Sequence, residues 1–397
     1  MGGGPRCAGN WLERSEALHV RVRTLIGRSL AAEGSALPAA SHAPAGERVG
    51  DELGAETDSL AIDIARYQAS HVPAVAKLYA AHGLTPAALS SSTDIPALPC
   101  EIFRLRRVAA HEPAHDERCF RTSGTTLGAL GRGEHPLRTT ATYAAAALGW
   151  AARMLWPDRK RLRFVGLVAA DDRASDSSLS FMLARFAEQL ADQPSWHFDG
   201  ERVDVDGVIR ACELARASGE AVLVAGTAFA LVELGDRLAG LSLPLPAGSR
   251  VMQTGGFKGR SREIAPAELR QLAVRIFELP ESHVVGEYGM TELSSQLYEG
   301  TLRRALGLGC NTAESGCYFA PPWVRVTPVD PVDLVPVPAG ETGLARVLDL
   351  ANVDSAVAIL TSDLVRERAD GSVELLGRAP GAEPRGCSLS IEEAIGR

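Results

Sequence analysis

Cys387 stands in "GRAPGAEPRGCSLSIEEAIGR", a glycine-flanked, basic segment that runs to the last residue of the chain. A thiol near a chain end is poorly placed for core packing and well placed to be carried about, so it is either incidental or a swinging nucleophile. Attack requires the thiolate, and a free thiol with a pKa of about 8.5 is only slightly ionised at neutral pH. Arg378 and Arg385 lie close to it in sequence and carry the charge that would lower it. A second segment, "RTSGTT" from Arg121 to Thr126, is dense in hydroxyls. Ser123, Thr125 and Thr126 can offer hydroxyls to phosphate oxygens, and Gly124 lets the backbone approach closely. An ordinary surface turn has the same composition. It is not a Walker A loop, because G-x-x-x-x-G-K-[ST] occurs nowhere in the chain.

A third segment, "GEYGMTE" from Gly286 to Glu292, follows the apolar "HVV" and so falls at the end of an expected strand, where open α/β sheets place ligands. Glu292 has the chemistry to hold Mg²⁺, Thr291 to bind a phosphoryl oxygen and Tyr288 to lie against a base. The alternative is a strand-ending turn in which Thr or Glu caps a helix. "HEPAH", His111 to His115, matches H-E-x-x-H only formally, since Pro113 interrupts the continuous helix that would bring both imidazoles to one face. Asp363 in "LTSDLV" and Arg378 in "LGRAPG" are single charges whose default is a surface role.

The elements that must position these segments can be read from periodicity. Residues 31–57 are rich in Ala, Gly, Pro and Ser and read as a linker. From Thr57 onward, "TDSLAIDIARYQASHVPAVAKLYAAHG" has helical spacing, with Asp58 or Ser59 as the cap and Gly83 as the stop. Downstream, "LRFVGLVAA", "AVLVAG", "SRVMQTGG" and "HVVGEYG" alternate with helical runs, which argues for an α/β fold with a largely parallel sheet. From about residue 320 the segments become β-rich and Pro-rich and suggest a smaller antiparallel or barrel-like subdomain. The expected organisation is a variable N-terminal segment and linker at 1–57, an α/β body at 58–376 and a hinge-like tail at 377–397 that bears Cys387.

Composition excludes several classes. Forty-one basic residues against 49 acidic give a net charge of −8, which argues against a nucleic-acid footprint. The apolar runs are too short or too interrupted to span a bilayer, and the first twenty residues contain no continuous apolar stretch of a secretory signal. The expectation is a soluble, cytoplasmic protein. Seven scattered cysteines argue against disulfides, and Cys310 and Cys317, with six residues between them and no His pair nearby, make a weak zinc spacing.

Taken in order, "RTSGTT", "QTGGFKGRSRE", "GEYGMTE", "LTSDLV" and "LGRAPGAEPRGCSL" resemble the motif set of the adenylate-forming enzymes. Within that superfamily, "DIPALPCEIFR", "SSLSFM", "TGGFKGRSRE", "APPWVRV" and the terminal "RGCSL" carry a narrower resemblance to the acyl-protein synthetases, the LuxE family, over about residues 60 to 397. That resemblance implies a large adenylate-forming α/β body and an enzyme that uses ATP and Mg²⁺ to convert a carboxylic acid, typically a fatty acid, into an acyl-adenylate. The acyl group would then pass to Cys387 and on to an acyl-CoA-reductase-like partner.

By the same resemblance Ser123, Gly124, Thr125 and Thr126 hold phosphates, Thr291 the α-phosphate and Glu292 the metal. Gly255, Gly256, Gly286, Glu287, Tyr288 and Gly289 border the nucleotide, Asp363 accepts the ribose hydroxyls and Arg378 acts at the hinge. The sequence departs from the superfamily in three places. Past the "GR" hinge only a short tail stands where a lid with a catalytic lysine is usual, which leaves Lys258, Arg260, Arg262 or a partner to supply that cation. Arg132 stands as the substitute for the lysine that usually trails the phosphate loop, and Ser362 stands where glycine is common before the ribose aspartate. Two further readings remain open: a phenylacetate-CoA-ligase-like enzyme that transfers to CoA or a carrier protein, and a non-catalytic nucleotide-binding subunit. Oligomeric state is open as well.

Overall fold

A computed structural model describes residues 11–32, 51–122, 131–255 and 264–379. The first helix, α1 (Trp11–Ala31), buries Leu18, Val22, Leu25 and Ile26, a stripe at helical spacing that faces α2 (Asp51–His71) and α5 (Ala141–Met154). The sequence reading set residues 1–57 apart as variable. Instead α1 belongs to the main core, and α2 begins within the expected linker. Asp58 is not a helix cap: it lies inside α2, where its carboxylate accepts hydrogen bonds from Ser92 Oγ at 2.6 Å and from the Arg325 guanidinium at 2.9 Å. The expected single helix is broken by Pro73, which has no N–H to donate and starts α3 (Pro73–Ala81); Gly83, at φ +63°, follows α3.

The sheet strands are β1 (Leu98–Pro99), β4 (Leu162–Leu167), β5 (Ala191–Trp196), β6 (Val222–Thr227), β7 (Arg250–Thr254), β8 (Val284–Tyr288), β9 (Leu297–Glu299), β10 (Cys317–Phe319), β11 (Val324–Val329), β12 (Thr342–Asp349), β13 (Ala358–Glu367) and β14 (Val373–Arg378), with β2 (Arg118–Arg121) and β3 (Glu134–Leu137) forming a separate hairpin. Their order is β11-β12-β13-β14-β10-β9-β8-β7-β6-β4-β5, with β1 added beside β13. From β8 to β5 the pairs are parallel; from β8 to β11 they are antiparallel. The β-rich C-terminal part is therefore antiparallel, as its composition suggested, and it continues the main sheet through β9 and β10.

The parallel half is covered on both faces by the helices that connect its strands. Phe164, Leu223, Met252 and Val285 point into a core shared with α1, α2, α5 and α6 (Ser178–Leu190). Their neighbours Val165, Val224, Val251 and Val284 point to the other face, against α7 (Val205–Ser218), α8 (Ala228–Leu238) and α9 (Pro266–Phe277). This period-two alternation explains why the strands read as continuous apolar runs. Each of α6, α7 and α8 starts on a side-chain cap: Ser180 N donates to Ser177 Oγ, Gly207 N to Asp204 Oδ1 and Ala230 N to Thr227 Oγ1.

Candidate active site

The parallel strands end together at Leu167, Thr227, Thr254 and Tyr288. A cavity of about 670 Å³ opens beside their C-terminal ends, reached by Thr227, Thr254, Gly255 and Glu287. This is the edge at which open α/β sheets bind ligands.

The turn after β8 is fixed by its backbone. Leu293 N donates to Met290 O at 3.1 Å, the Thr291 carbonyl meets His135 Nδ1 at 2.8 Å, and the Glu292 carbonyl accepts from Asn352 Nδ2 at 2.9 Å. Asp349 takes Ser294 N at 2.9 Å and Ser295 Oγ at 2.8 Å. The segment between β12 and β13 thus holds the turn from below, and the residues of Thr291 and Glu292 border the cavity. The alternative of a helix-capping turn does not describe this site, because the next element is β9.

Glu292 is only 7% exposed. Burial pushes its carboxyl up to about 7, the negative Glu101 adds to the shift, and Arg378 and Arg104 oppose it. Glu101, just before α4 (Ile102–Leu105), accepts a hydrogen bond from Ser362 Oγ at 3.0 Å. The serine that replaces the usual glycine therefore positions a second carboxylate at the cavity wall. Glu287 is pushed up to about 7 by burial as well, against the opposing hydrogen bond from Thr254. A Cβ at Gly289 would stand 2.5 Å from Glu287 Oε1, so a side chain there would displace the carboxylate.

A separate cluster joins β8, β13 and β14. Tyr288 OH donates to Asp363 Oδ2 at 2.8 Å, and Arg378, opposite Asp363 in the cross-strand register, brings its Nε to 3.4 Å from Oδ1. The Arg378 side chain is 82% exposed, so this ion pair is open to solvent on its cationic side.

The chain matches the family described as "Acyl-protein synthetase, LuxE" over residues 82–396. It belongs to that family. Two curated relatives are named long-chain-fatty-acid–luciferin-component ligase: one from Aliivibrio fischeri, 21% identical over 77% of this chain and 80% of its own, and one from Vibrio harveyi, 22% identical over 76% and 78%. Among solved structures, an open conformation of 2-hydroxyisobutyryl-CoA ligase in complex with 2-HIB-AMP and CoA has a TM-score of 0.59 at 16% identity and covers 82% of this chain and 70% of its own. The postadenylation state of that ligase with R3-HIB-AMP has a TM-score of 0.57 at 15% identity over 82% and 68%. This acyl-protein synthetase therefore has the adenylate-forming fold.

Of the residues singled out in the sequence, Gly255, Glu287, Gly289, Thr291, Glu292 and Arg378 line the cavity. Tyr288 and Asp363 sit in the cluster beside it. Gly286 is elsewhere: it is buried in β8, its N–H donates to Glu299 Oε2 at 2.6 Å, and a Cβ would lie 2.8 Å from both Glu299 Cδ and Tyr318 OH. Its lack of a side chain serves sheet packing around a buried carboxylate. Ser123, Gly124, Thr125, Thr126, Gly256, Lys258 and Cys387 lie outside the described residues. Arg132 lines the cavity and pairs with Asp176 at 2.8 Å. His111 and His115 make no metal pair: His111 is buried against Asp116 at 2.9 Å, and Pro113–His115 is a single 3₁₀ turn. Cys310 and Cys317 are free thiols, and among the described residues no helix is long and apolar enough to cross a membrane.

Residues that sequence reasoning passed over are Glu101, Arg104, Thr122, Tyr143 and Gln296, all at the cavity wall. Glu101 and Arg104 lie inside "DIPALPCEIFR", whose local sequence assigns neither a role. Tyr143 and Gln296 carried no local signal.

Proposed function

We propose that this acyl-protein synthetase activates a carboxylic acid with ATP and then carries the acyl group on its own Cys387. In the first step a carboxylate oxygen attacks the α-phosphorus of ATP, the bond to the β-phosphate oxygen breaks, and pyrophosphate leaves with the electron pair. In the second the Cys387 thiolate attacks the acyl carbon and AMP leaves, giving a thioester that stays activated. The name of the Aliivibrio and Vibrio relatives favours a long-chain fatty acid as the starting class of substrate. Residues 377–397 would act as the carrier tail, 58–376 as the adenylating body, and a reductase of the acyl-CoA type as the receiver.

The observation that carries this reading is the convergence of Thr291 and Glu292 on a cavity at the C-terminal edge of the parallel strands, beside the Tyr288–Asp363–Arg378 cluster. Asp363 keeps acceptor capacity for ribose hydroxyls, and the open face of Arg378 can meet a phosphate or carboxylate. The residues also fit Mg²⁺, which is commonly bound by one or two carboxylates plus substrate phosphates. Glu292, with Glu101 beside it, is a buried carboxylate whose elevated pKa a divalent cation would reverse. Bound there, the ion would neutralise charge on the phosphoryl oxygens. Among the described side chains, Glu292 would hold it, Arg104 and Arg132 would face the phosphates, and Glu101 would orient the site.

Intact-protein mass after incubation with Mg²⁺-ATP and a panel of acids tests the proposal, run on wild type and Cys387→Ala. A hydroxylamine-labile acyl adduct on wild type alone, with ATP–pyrophosphate exchange in both proteins, is expected. Exchange without an adduct would redirect the transfer to CoA or a carrier protein, and no exchange with any acid would leave a nucleotide-binding subunit.

A further inference from the structure

β8 changes neighbours along its length. On one side it pairs in parallel with β7 from Val284 to Glu287; on the other, β9 pairs with it only at Glu287 and Tyr288. Val284 and Gly286, two residues apart, turn their backbone groups toward the same strand edge, and β9 does not reach them. Buried backbone groups left at such an edge need partners. Two side chains supply them. The Arg270 guanidinium on α9 donates to the Val284 carbonyl, and Gly286 N donates to Glu299 Oε2 at 2.6 Å. Arg270 Nη2 also donates to Glu299 Oε2, and the two residues are 4% and 1% exposed. A buried ion pair here takes the place of a strand.

The same carboxylate reaches further. Its Oε1 accepts from Gly316 N at 2.5 Å, in the turn before β10, and the Gly316 carbonyl accepts from Leu375 N on β14 at 3.1 Å. Glu299 is thus tied to β8 just before Tyr288 and, through Gly316, to β14 just before Arg378. Those are the two residues that meet on Asp363. The packing around the carboxylate is close: the Tyr318 ring, whose strand position is opposite Glu299, lies 6.2 Å from the Tyr288 ring.

We propose that Glu299, held by Arg270, is a positioning residue for nucleotide binding: it fixes the spacing of β8 and β14 at which Tyr288 and Arg378 both reach Asp363. The inference rests on the acyl-activating reading above, in which Asp363 receives the ribose hydroxyls, and it gives the buried pair a part in that site. Glu299→Gln keeps the side chain's size. It leaves one acceptor oxygen where two now take three donors, and it turns an amide N–H toward one of them. The strand spacing then loosens, and the contacts on Asp363 weaken with it. The expected loss in ATP affinity is about 10-fold, the lower end of what a hydrogen bond to a charged group is worth.

The test is a double-mutant cycle on the full chain, with wild type, Glu299→Gln, Asp363→Ala and the double variant, each kept well below its melting temperature. ATP Kd is measured by equilibrium dialysis and ATP KM by ATP–pyrophosphate exchange with a panel of fatty acids. Glu299→Gln should raise both by about 10-fold with a smaller change in kcat. In the Asp363→Ala background the same substitution should add little, because the contact through which it acts is gone; independent effects would multiply. Arg270→Lys, which keeps the charge without the planar fork that spans Val284 and Glu299, should weaken ATP binding in the same sense and carries the test if Glu299→Gln does not fold. A lowered melting temperature with ATP Kd unchanged makes the pair structural only and overturns the inference, as does an equal effect of Glu299→Gln in both backgrounds. Wild type that binds ATP but exchanges with no acid refutes the acyl-activating reading, and the Kd cycle still decides this one.

Discussion

His135 is the residue whose loss should be felt at both ends of its ring. It sits on β3, fully buried, with Nδ1 2.8 Å from the Thr291 carbonyl and Nε2 2.9 Å from Ser355 Oγ. As the neutral Nδ1–H tautomer it donates to the carbonyl and accepts from the serine, and burial holds its pKa down at about 4. His135→Ala would leave two buried polar groups unpaired, each worth about 1–3 kcal/mol, so urea unfolding at pH 7 should show a loss of about 2–6 kcal/mol. The pH dependence follows from linkage. Between about 6.5 and 4 the unfolded imidazole binds a proton that the folded one refuses, so this contribution is fully present above pH 6.5 and is lost as pH falls to 4. Its size is on the order of 3 kcal/mol for the whole window. Glu287 and Glu292 act in the opposite sense between about 4.5 and 7, so the difference between wild type and His135→Gln, not the wild-type curve, isolates the histidine. Two conservative variants separate positioning from stability. Asn places an amide N–H near the Nδ1 position and keeps the tether to Thr291, whereas Gln reaches toward Ser355. ATP–pyrophosphate exchange should therefore survive better in His135→Asn than in His135→Gln at similar stability. Equal exchange in the two, or a stability difference that stays flat from pH 7 to pH 4, would refute the reasoning.

Glu287→Gln should stabilise the protein at pH 8. The folded carboxyl titrates at about 7 against 4.5 when unfolded, so its stabilising contribution is complete below pH 4.5 and lost as pH rises through 7, and the amide removes a deficit on the order of 3 kcal/mol. Gly289→Ala should lower exchange while the protein stays folded, because the new methyl displaces the Glu287 carboxylate at the cavity wall; wild-type exchange would contradict the contact. Asp363→Ala removes the partner of Tyr288 and Arg378, and should raise the KM for ATP by about 10- to 100-fold, the value of a charged hydrogen bond, with a smaller effect on kcat.

Local pattern made much of this fold legible. β4, β6, β7 and β8 are short apolar runs between amphipathic helices, and their parallel pairing follows from that alternation. The turn at Gly286 to Glu292 was legible because it ends such a run. What was illegible depends on distant contacts. Glu101 becomes a site residue only because Ser362, 261 positions away, donates to it. Gln296 looks like any polar residue before a strand until Tyr143 is placed beside it. Gly286 looked like a ligand-approach glycine, yet the group that needs the space is Glu299, which also receives Gly316 N and the Arg270 guanidinium. Asp58 looked like a cap because a helix-starting signal and an ion-pair partner use the same residue type.

The N-terminal helix shows how far such contacts reach. Read as a variable appendage, α1 inserts Ser15 and His19 into the middle of the fold, where Asp354 accepts from Ser15 Oγ at 2.6 Å, from Tyr67 OH at 3.0 Å and from Arg138 Nε at 3.2 Å, and meets His19 Nε2 at 2.8 Å. Burial alone would raise the Asp354 carboxyl; the hydrogen bonds and charges of His19, Ser15 and Arg138 outweigh it and hold the group well below the usual carboxylate range. Asp354 lies in the segment between β12 and β13 whose Asn352 and Ser355 tether the carbonyl of Glu292 and, through His135, that of Thr291. A fully partnered buried carboxylate is destabilising to break, about 3–5 kcal/mol when one partner is removed. Asp354→Ala should therefore lower stability by that amount in urea unfolding. Because the same segment anchors the turn, exchange per folded molecule should fall as well, whereas a purely structural role for α1 predicts a stability loss with exchange per folded molecule unchanged.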